Sequence, residues 1–448
     1  MAGESGRAVH CELAWLGGSE PTADVLVELD GDRIATVTPG VARPASALAL
    51  PGLTLPGLAN AHSHAFHRAL RGRTQGGVGS FWTWRDQMYA VAERLTPATY
   101  HRLARAVFAE MALAGITCVG EFHYLHHGAD GQPYDDPNAM GLALVAAARD
   151  VGIRITLLDT CYLQGGIGTP PNDVQRRFSD LRVDRWAARV EALLPAVAAD
   201  VRIGAAIHSV RALDPDAIEA VARWANDRDL PLHAHVSEQV AENHACIEAY
   251  ALTPTELLHE RHALSDRFTA VHATHLTEHD RHLLGTTGAT ACFCPTTERD
   301  LADGIGPAAA LVEEGAGLAL GSDSHAVVDL FEEARAVELH ERLVSNVRGN
   351  LTTDTLLRAA TVDGHRSLGW PHAGRIAVGD LADLVTVDLH SVRTAGARQA
   401  DALHAAVFAA TAADVRHVMA SGRVVVRDGA HVALDVASEL RNAIGAVT

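Results

Sequence analysis

Between about Leu55 and Trp370, short apolar runs alternate with longer stretches in which apolar positions recur every three or four residues. The short runs are TLPGLANAHSH, GITCVGEFH, IRITLLDTC, VRIGAAIHSV, LPLHAHVSE, FTAVHATHL, ATACFCPTT and GLALGSDSH. Runs of this length, rich in β-branched residues, read as strands buried on both faces, and the stretches between them as amphipathic helices. One such helix, PATYHRLARAVFAEMALAG, has Pro97 near its start and Gly115 at its end, residue types suited to a first helical turn and a helix stop. Eight strands alternating with helices in about 310 residues is the arithmetic of a (β/α)8 TIM-like barrel, an α/β fold. A doubly wound open sheet fits less well, because no G-x-G-x-x-G opens any βα unit.

The two ends of the chain follow a different pattern. VLVELDGDRIATVTPG alternates apolar and polar positions around Asp30 and Gly31, which predicts a hairpin. Near the other end, ADLVTVDL (382–389) and VRHVMASGRVVVRDGAHV (415–432) read as short strands joined by glycine turns.

Composition narrows the chemistry. The formal net charge of −18 repels polyanions, so neither nucleic acid nor an anionic membrane is an expected partner, and an anionic small substrate needs arginines of its own. No lysine occurs, which removes a pyridoxal Schiff base, a GK[ST] phosphate loop and a carbamylated lysine bridging two metals. The six cysteines are scattered without CxxC pairing, and neither a signal-peptide pattern nor a long apolar run is present, so a reduced, cytoplasmic protein is expected.

In a barrel of this kind the chemistry sits at the C-terminal ends of the strands. There the first candidate strand carries His62 and His64, whose period-2 spacing points both imidazoles to one face. The fifth carries His235 and Glu238, the sixth His272 and His275, and the eighth Asp323 and His325. Nitrogen and oxygen ligands at one barrel mouth suit a divalent cation such as zinc, with a position left for water. His10, His101, His126, His127, His259, His262, His279, His282 and His340 fall in helices or loops and read as solvated, and Cys292 and Cys294 as packing residues.

PGLANAHSH, His235 with Glu238 three residues on, His272 in VHATH and Asp323 in GSDSH together resemble the deaminase branch of the amidohydrolase superfamily. The resemblance implies that residues 1–54 and 373–448 form a small composite β-sandwich flanking a metal-dependent hydrolase barrel at 55–372. It makes His62, His64, His235 and Asp323 the ligands of one metal ion, most simply Zn2+, and Glu238, His272 and Asp323 catalytic. Segments such as FWTWRDQMY, GEFHYLHH, IHSVRA and CPTTERDLADG further resemble the N-formimino-L-glutamate deiminase family of histidine degradation. That likeness implies hydrolysis of a formimino group, a homodimer, and a small anionic dicarboxylate held by Arg85, Tyr124 and Arg211, with His208 lining the same pocket. Planar guanidinium forks are the natural partners of carboxylates. His67 stands where that family often has Gln, although a protonated imidazole can also donate to a carboxylate. Arg85 is expected on a loop that closes over the ligand, in its own or a neighbouring subunit. Two alternatives stay open: a deaminase of heterocycles such as guanine, using Trp82 and Trp84 as stacking faces, and a non-enzymatic scaffold relative.

Overall fold

The computed structural model describes residues 7–76, 81–196 and 198–448. The side chain of Trp82 lies outside the described residues. All eight expected barrel strands form: β1 (Leu58–Ser63), β2 (Ile116–His123), β3 (Arg154–Cys161), β4 (Val201–Ile207), β5 (Leu232–Val236), β6 (Phe268–His272), β7 (Thr290–Phe293) and β8 (Gly317–Leu320). They pair in sequence order, each parallel to the next. Every residue of β2 and β3 is buried, as parallel strands covered by helices require.

The barrel closes at its C-terminal mouth rather than along its length. Ser63 and Asp323 form a parallel bridge, His64 N–H donates to the Asp323 carbonyl at 3.2 Å, and Ser322 N–H donates to the His62 carbonyl at 3.1 Å. This approach depends on Gly321. A β-carbon there would stand 2.7 Å from the His62 β-carbon and 2.8 Å from Cys294 Sγ, so any side chain would push the last strand off the first.

The helix that leads into β2 runs from Pro97 to Leu113, with Thr96 capping it and Pro97 in its first turn. Gly115 then turns the chain into β2 with φ +90°, and a β-carbon there would meet Val385 Cγ2 at 2.7 Å. Val385 belongs to the second sheet, so this glycine sits where the two sheets meet.

The second sheet is mixed and composite. N-terminal strands Arg7–Ala14, Thr22–Asp30, Arg33–Thr38 and Leu48–Pro56 join C-terminal strands Leu384–Val387, Val415–Ala420, Arg423–Arg427 and Ala430–His431. Hydrogen bonding runs through one continuous sheet that curls over its own core of Val9, Val25, Val27, Ile34, Leu384 and Met419. The curl brings its two hairpin tips together, because a β-carbon on Gly422 would lie 2.4 Å from the Gly31 carbonyl oxygen. Arg154 of β3 clamps this sheet to the barrel through a buried, two-pronged ion pair with Asp383, one prong of which is 2.8 Å. A C-terminal helix, Val436–Gly445, not foreseen from sequence, packs on Pro97–Leu113 and pairs Glu439 with Arg105.

Candidate active site

Four side chains from three strand ends point at one spot. His62 Nε2 lies 3.3 Å and His64 Nε2 3.4 Å from the same Asp323 oxygen, and His235 Nε2 is 3.2 Å from His62 Nε2. With metal–ligand bonds of about 2.0–2.1 Å, the edge of a tetrahedron is about 3.3 Å, so these separations are those of a coordination polyhedron. The donor set has the matching chemistry. His64 Nδ1 and His235 Nδ1 each lie 2.9 Å from a main-chain carbonyl, of Phe122 and His208 respectively. A carbonyl only accepts, so each Nδ1 carries the proton and each Nε2 turns a lone pair inward. Two lone pairs and a carboxylate oxygen thus face one point, and a proton on His62 would satisfy only one of them, whereas a divalent cation satisfies all.

Burial strengthens this reading. It pushes the His64 imidazole down to about 3 and lowers His62 and His235 as well, keeping the rings neutral as ligands must be. Burial alone would raise the Asp323 carboxyl, but its hydrogen bond with His62 and the surrounding imidazoles hold it well below the usual carboxylate range. Ser237, His272, Ala273, Asp323 and His325 all adopt positive φ between 41° and 68°. Left-handed backbone is unfavourable for such residues, and its clustering at the ends of β5, β6 and β8 marks a mouth whose geometry is held by its surroundings.

His272 differs from the other rings. Its Nδ1 meets Glu298 Oε1 at 3.3 Å, while Nε2 lies 3.9 Å from Glu238 Oε1 and 4.0 Å from Asp323 Oδ2. Burial opposes a charge here, yet the three carboxylates raise its pKa well above the ordinary histidine value. Glu298 was not singled out from sequence. It also accepts the Cys294 N–H at 2.9 Å and lies in the first turn of a short helix, Pro295–Leu301, where an acidic residue looks like ordinary capping chemistry. His275 and His325 stand apart from the cluster. The first bonds the Asp303 carbonyl at 2.7 Å, and the second joins Ser63 to Ser322 at 3.2 and 3.0 Å.

A cavity of about 270 Å³ opens above the four ligands, with His64, His235 and Asp323 at one end of its lining. His67, Arg85, Tyr124, His208, Arg211, Glu238 and His272 also line it, so the substrate-side candidates converge with the ligands. Tyr124 Oη is 2.8 Å from His67 Nε2, and His208 Nδ1 is 3.3 Å from Ser209 Oγ. Burial lowers His67 well below its ordinary pKa, which favours the neutral ring in the free site. Arg85 is also corrected in setting: it stands on a helix, Phe81–Glu93, and not on a loop, with its guanidinium 5.6 Å from the centre of the Tyr89 ring.

Arg211 stands between two carboxylates, Glu238 and Glu242, each at 3.7 Å. Glu242 was not anticipated. It is buried, among the described residues neither of its oxygens has a hydrogen-bond partner, and burial pushes it up to about 7 against the pull of Arg211. Trp84 lines the cavity with its ring 5.0 Å from that of His67.

The histidines expected to be solvated divide into three groups. His259, His262, His279 and His282 are exposed and His101 and His340 half-buried, but His10, His126 and His127 are buried. His126 belongs to a second group with ligand-forming side chains, His123, His126 and Asp159. There Arg189 donates to both Asp159 oxygens at 2.8 Å and Trp186 Nε1 adds a third bond at 3.1 Å, so the carboxylate is already neutralised and the group is structural. Cys292 and Cys294 are packing residues in a small buried cluster with Ala61, Val271 and Ala319.

Residues 53–425 match the amidohydrolase family. The chain belongs to it. This amidohydrolase is 38% identical to formimidoylglutamate deiminase from Pseudomonas aeruginosa over 423 residues, which span 91% of the chain and 92% of that protein. Among solved structures, an amidohydrolase from Brucella melitensis superposes with a TM-score of 0.91 at 31% identity, covering 98% of this chain and 99% of that one. An adenosine deaminase from Xanthomonas campestris with bound zinc superposes with a TM-score of 0.84 at 26% identity, covering 98% and 97%. Among the described residues, no helix is long and apolar enough to cross a membrane.

Proposed function

We propose that this amidohydrolase deiminates N-formimino-L-glutamate, the group –NH–CH=NH taking up water to give –NH–CHO and ammonia, as a step of histidine degradation. One zinc ion per chain, held by His62, His64, His235 and Asp323, is part of this reading. The carrying observation is a single cavity lined at one end by three of those ligands, His64, His235 and Asp323, and also by two guanidiniums, Arg85 and Arg211. A linear amidine with two carboxylates needs both features, whereas a neutral heterocycle has no use for paired guanidiniums. The 38% identity to a formimidoylglutamate deiminase supports the same choice.

When bound, the cation supplies Lewis acidity and acidifies water at the cluster. The chain's own residues do the rest. Arg211 and Arg85 hold the carboxylates, with Tyr124 and His208 beside them, so that the amidine carbon is presented to the ligand end. Glu238 lines the cavity between Arg211 at 3.7 Å and His272 at 3.9 Å, where it can carry a proton to the departing nitrogen. Asp323 accepts the proton given up by water, and His272, held from behind by Glu298, orients the attack. The absence of lysine, with His208 and Arg211 following β4, supports one metal and not a bridged pair.

The test is ammonia release from N-formimino-L-glutamate, N-formimino-L-aspartate, guanine and adenosine in parallel. Turnover of the glutamate compound in preference to the others is expected. Turnover of a nucleobase or nucleoside alone would overturn the reading.

A further inference from the structure

A feature on the guanidinium side of the cavity goes beyond the residues assigned so far. Tyr89, on the helix Phe81–Glu93, and Tyr162, immediately after β3, both line the cavity. Their hydroxyls meet the same side-chain amide, with Gln175 Nε2 lying 2.8 Å from Tyr162 Oη and 3.1 Å from Tyr89 Oη. Gln175 is 3% exposed and opens a short 3-10 helix, Gln175–Phe178.

The orientation of that amide follows from its other end. Gln175 Oε1 accepts the Asn172 main-chain N–H at 2.9 Å, and Asn172 Oδ1 accepts the Gln175 main-chain N–H at 2.9 Å. A main-chain N–H can only donate, so the oxygen must face Asn172 and the NH2 group must face the phenols. Both amide hydrogens are then used, one on each phenol oxygen. A phenol oxygen occupied as an acceptor keeps its own O–H to donate, and among the described residues neither hydroxyl has a second partner. Burial raises the pKa of both phenols above the ordinary tyrosine value, against the pull of Arg85 and Arg211, so both remain protonated donors. The tyrosines thus sit within the field of both guanidiniums, where an anion is expected.

We propose that Gln175 is a positioning residue that turns the Tyr89 and Tyr162 hydroxyls into a fixed pair of donors for a substrate carboxylate at the Arg85–Arg211 end of the cavity. The inference rests on the dicarboxylate reading above and adds two recognition groups and the residue that aims them. A guanidinium fork sets the plane of a carboxylate, and two directed O–H groups add bonds that only one carboxylate position along that plane can make.

Steady-state kinetics with N-formimino-L-glutamate test it, with zinc content and thermal unfolding followed for each variant. Gln175→Glu places a group that only accepts where the amide donated. Both hydroxyls then turn toward it, and the phenol oxygens present lone pairs to the substrate anion. KM is expected to rise ~10- to ~100-fold, the scale of hydrogen bonds to charged groups, while kcat changes less than about threefold. Gln175→Met removes the direction without reversing it and gives a smaller rise. In a Tyr89→Phe/Tyr162→Phe background, which itself raises KM, Gln175→Met has no further effect because nothing remains to be aimed. An unchanged KM in both Gln175 variants, or an undiminished Gln175→Met effect in the Phe background, overturns the proposal. If the Gln175 variants fail to fold, the Phe pair decides: raised KM with retained kcat supports the donors, and an unchanged KM overturns them. Failure of the wild-type enzyme to turn over N-formimino-L-glutamate would instead overturn the substrate reading.

Discussion

Replacing Arg211 with Met removes a guanidinium that faces Glu238 and Glu242 at 3.7 Å each, while keeping an unbranched stem to fill the space. Two costs must be separated. Breaking a buried ion pair commonly costs ~3–5 kcal/mol, because the remaining charge is stranded. Here Glu242 has a way out, since burial already pushes its carboxyl from 4.5 to about 7. Relative to the unfolded chain, holding that carboxyl ionised or forcing a proton onto it at pH 7 costs about 3 kcal/mol with Arg211 present. Without Arg211 the carboxyl simply stays protonated, so the variant loses less than about 1 kcal/mol at pH 7. Above pH 7 the loss grows by about 1.4 kcal/mol per pH unit, because the variant must go on taking up a proton that the wild type has released. With an unfolding entropy of about 2 cal/mol/K per residue, a chain of 448 residues moves its Tm by about 1 °C per kcal/mol. The Tm should therefore fall by less than about 1 °C at pH 7.

The catalytic cost is of another size. A substrate carboxylate deprived of its partner in a desolvated cavity loses ~2–5 kcal/mol, or ~30- to ~5000-fold in kcat/KM. Part of the loss should appear in kcat, because Arg211 also flanks Glu238. Ammonia-release kinetics and thermal scans at pH 7 and 8 on one preparation measure both effects. A kcat/KM within about threefold of wild type, or a Tm fall above about 5 °C at pH 7, would show that Arg211 holds the protein together and does not read the substrate.

Metal analysis of the active enzyme should give one divalent ion per chain, and His235→Ala should lose both ion and activity; two ions per chain would refute the single-site reading. Glu238→Gln should keep the metal and the fold while kcat falls ~10²- to ~10⁴-fold, and more than about a tenth of wild-type turnover would remove Glu238 from proton transfer. Glu242→Gln should be more stable than wild type by a margin that grows with pH. A carboxyl raised from 4.5 to about 7 favours the folded state's protonated form, so stability is full below pH 4.5 and is lost as pH rises through 7. A margin that stays flat between pH 5.5 and 8 would contradict this assignment.

What was legible in the sequence had a local cause. Parallel strands covered on both faces are continuous apolar runs, so all eight barrel strands could be located, and the polar residues ending them marked the cluster. Glu238, His272 and Arg211, close to strand ends, were legible with it, but Glu298, Glu242 and Gln175 were not, because their role depends on where an element lands and not on its neighbours in the chain. Glu298 and Glu242 each occupy the first turn of a helix, where carboxylates are common for capping and dipole reasons alone. Gln175 meets Tyr89 from 86 positions away, and nothing in QRRF suggests it. The glycines before Arg85 predict a loop, yet from Phe81 the chain is helical. His126 and His127 looked like solvated loop residues, but the 3-10 segment at Gln175–Phe178 folds over them, with the Arg177 carbonyl accepting both main-chain N–H groups at 3.0 and 2.9 Å.

The charges in the cavity argue for what must enter it. The formal negative charges of Asp323, Glu238 and Glu298 are matched by His272, which these three carboxylates hold in its charged form, and by Arg85 and Arg211. The Glu242 carboxyl, pushed up to about 7, is half-neutralised near neutral pH. The protein groups alone are therefore close to balanced, and a divalent cation on the four ligands leaves the site with an excess of positive charge. In a partly desolvated cavity such an excess is costly unless a counter-charge arrives with the substrate. A dicarboxylate carries two negative charges and restores the balance, whereas a neutral heterocycle leaves the excess in place. The same argument explains how a chain of net charge −18 can take an anionic substrate: the long-range field opposes approach, but the loaded site is a local positive well whose depth is set by the cation and the two guanidiniums together. Removing the cation should then weaken binding of the dicarboxylate itself, and not only the chemistry that follows.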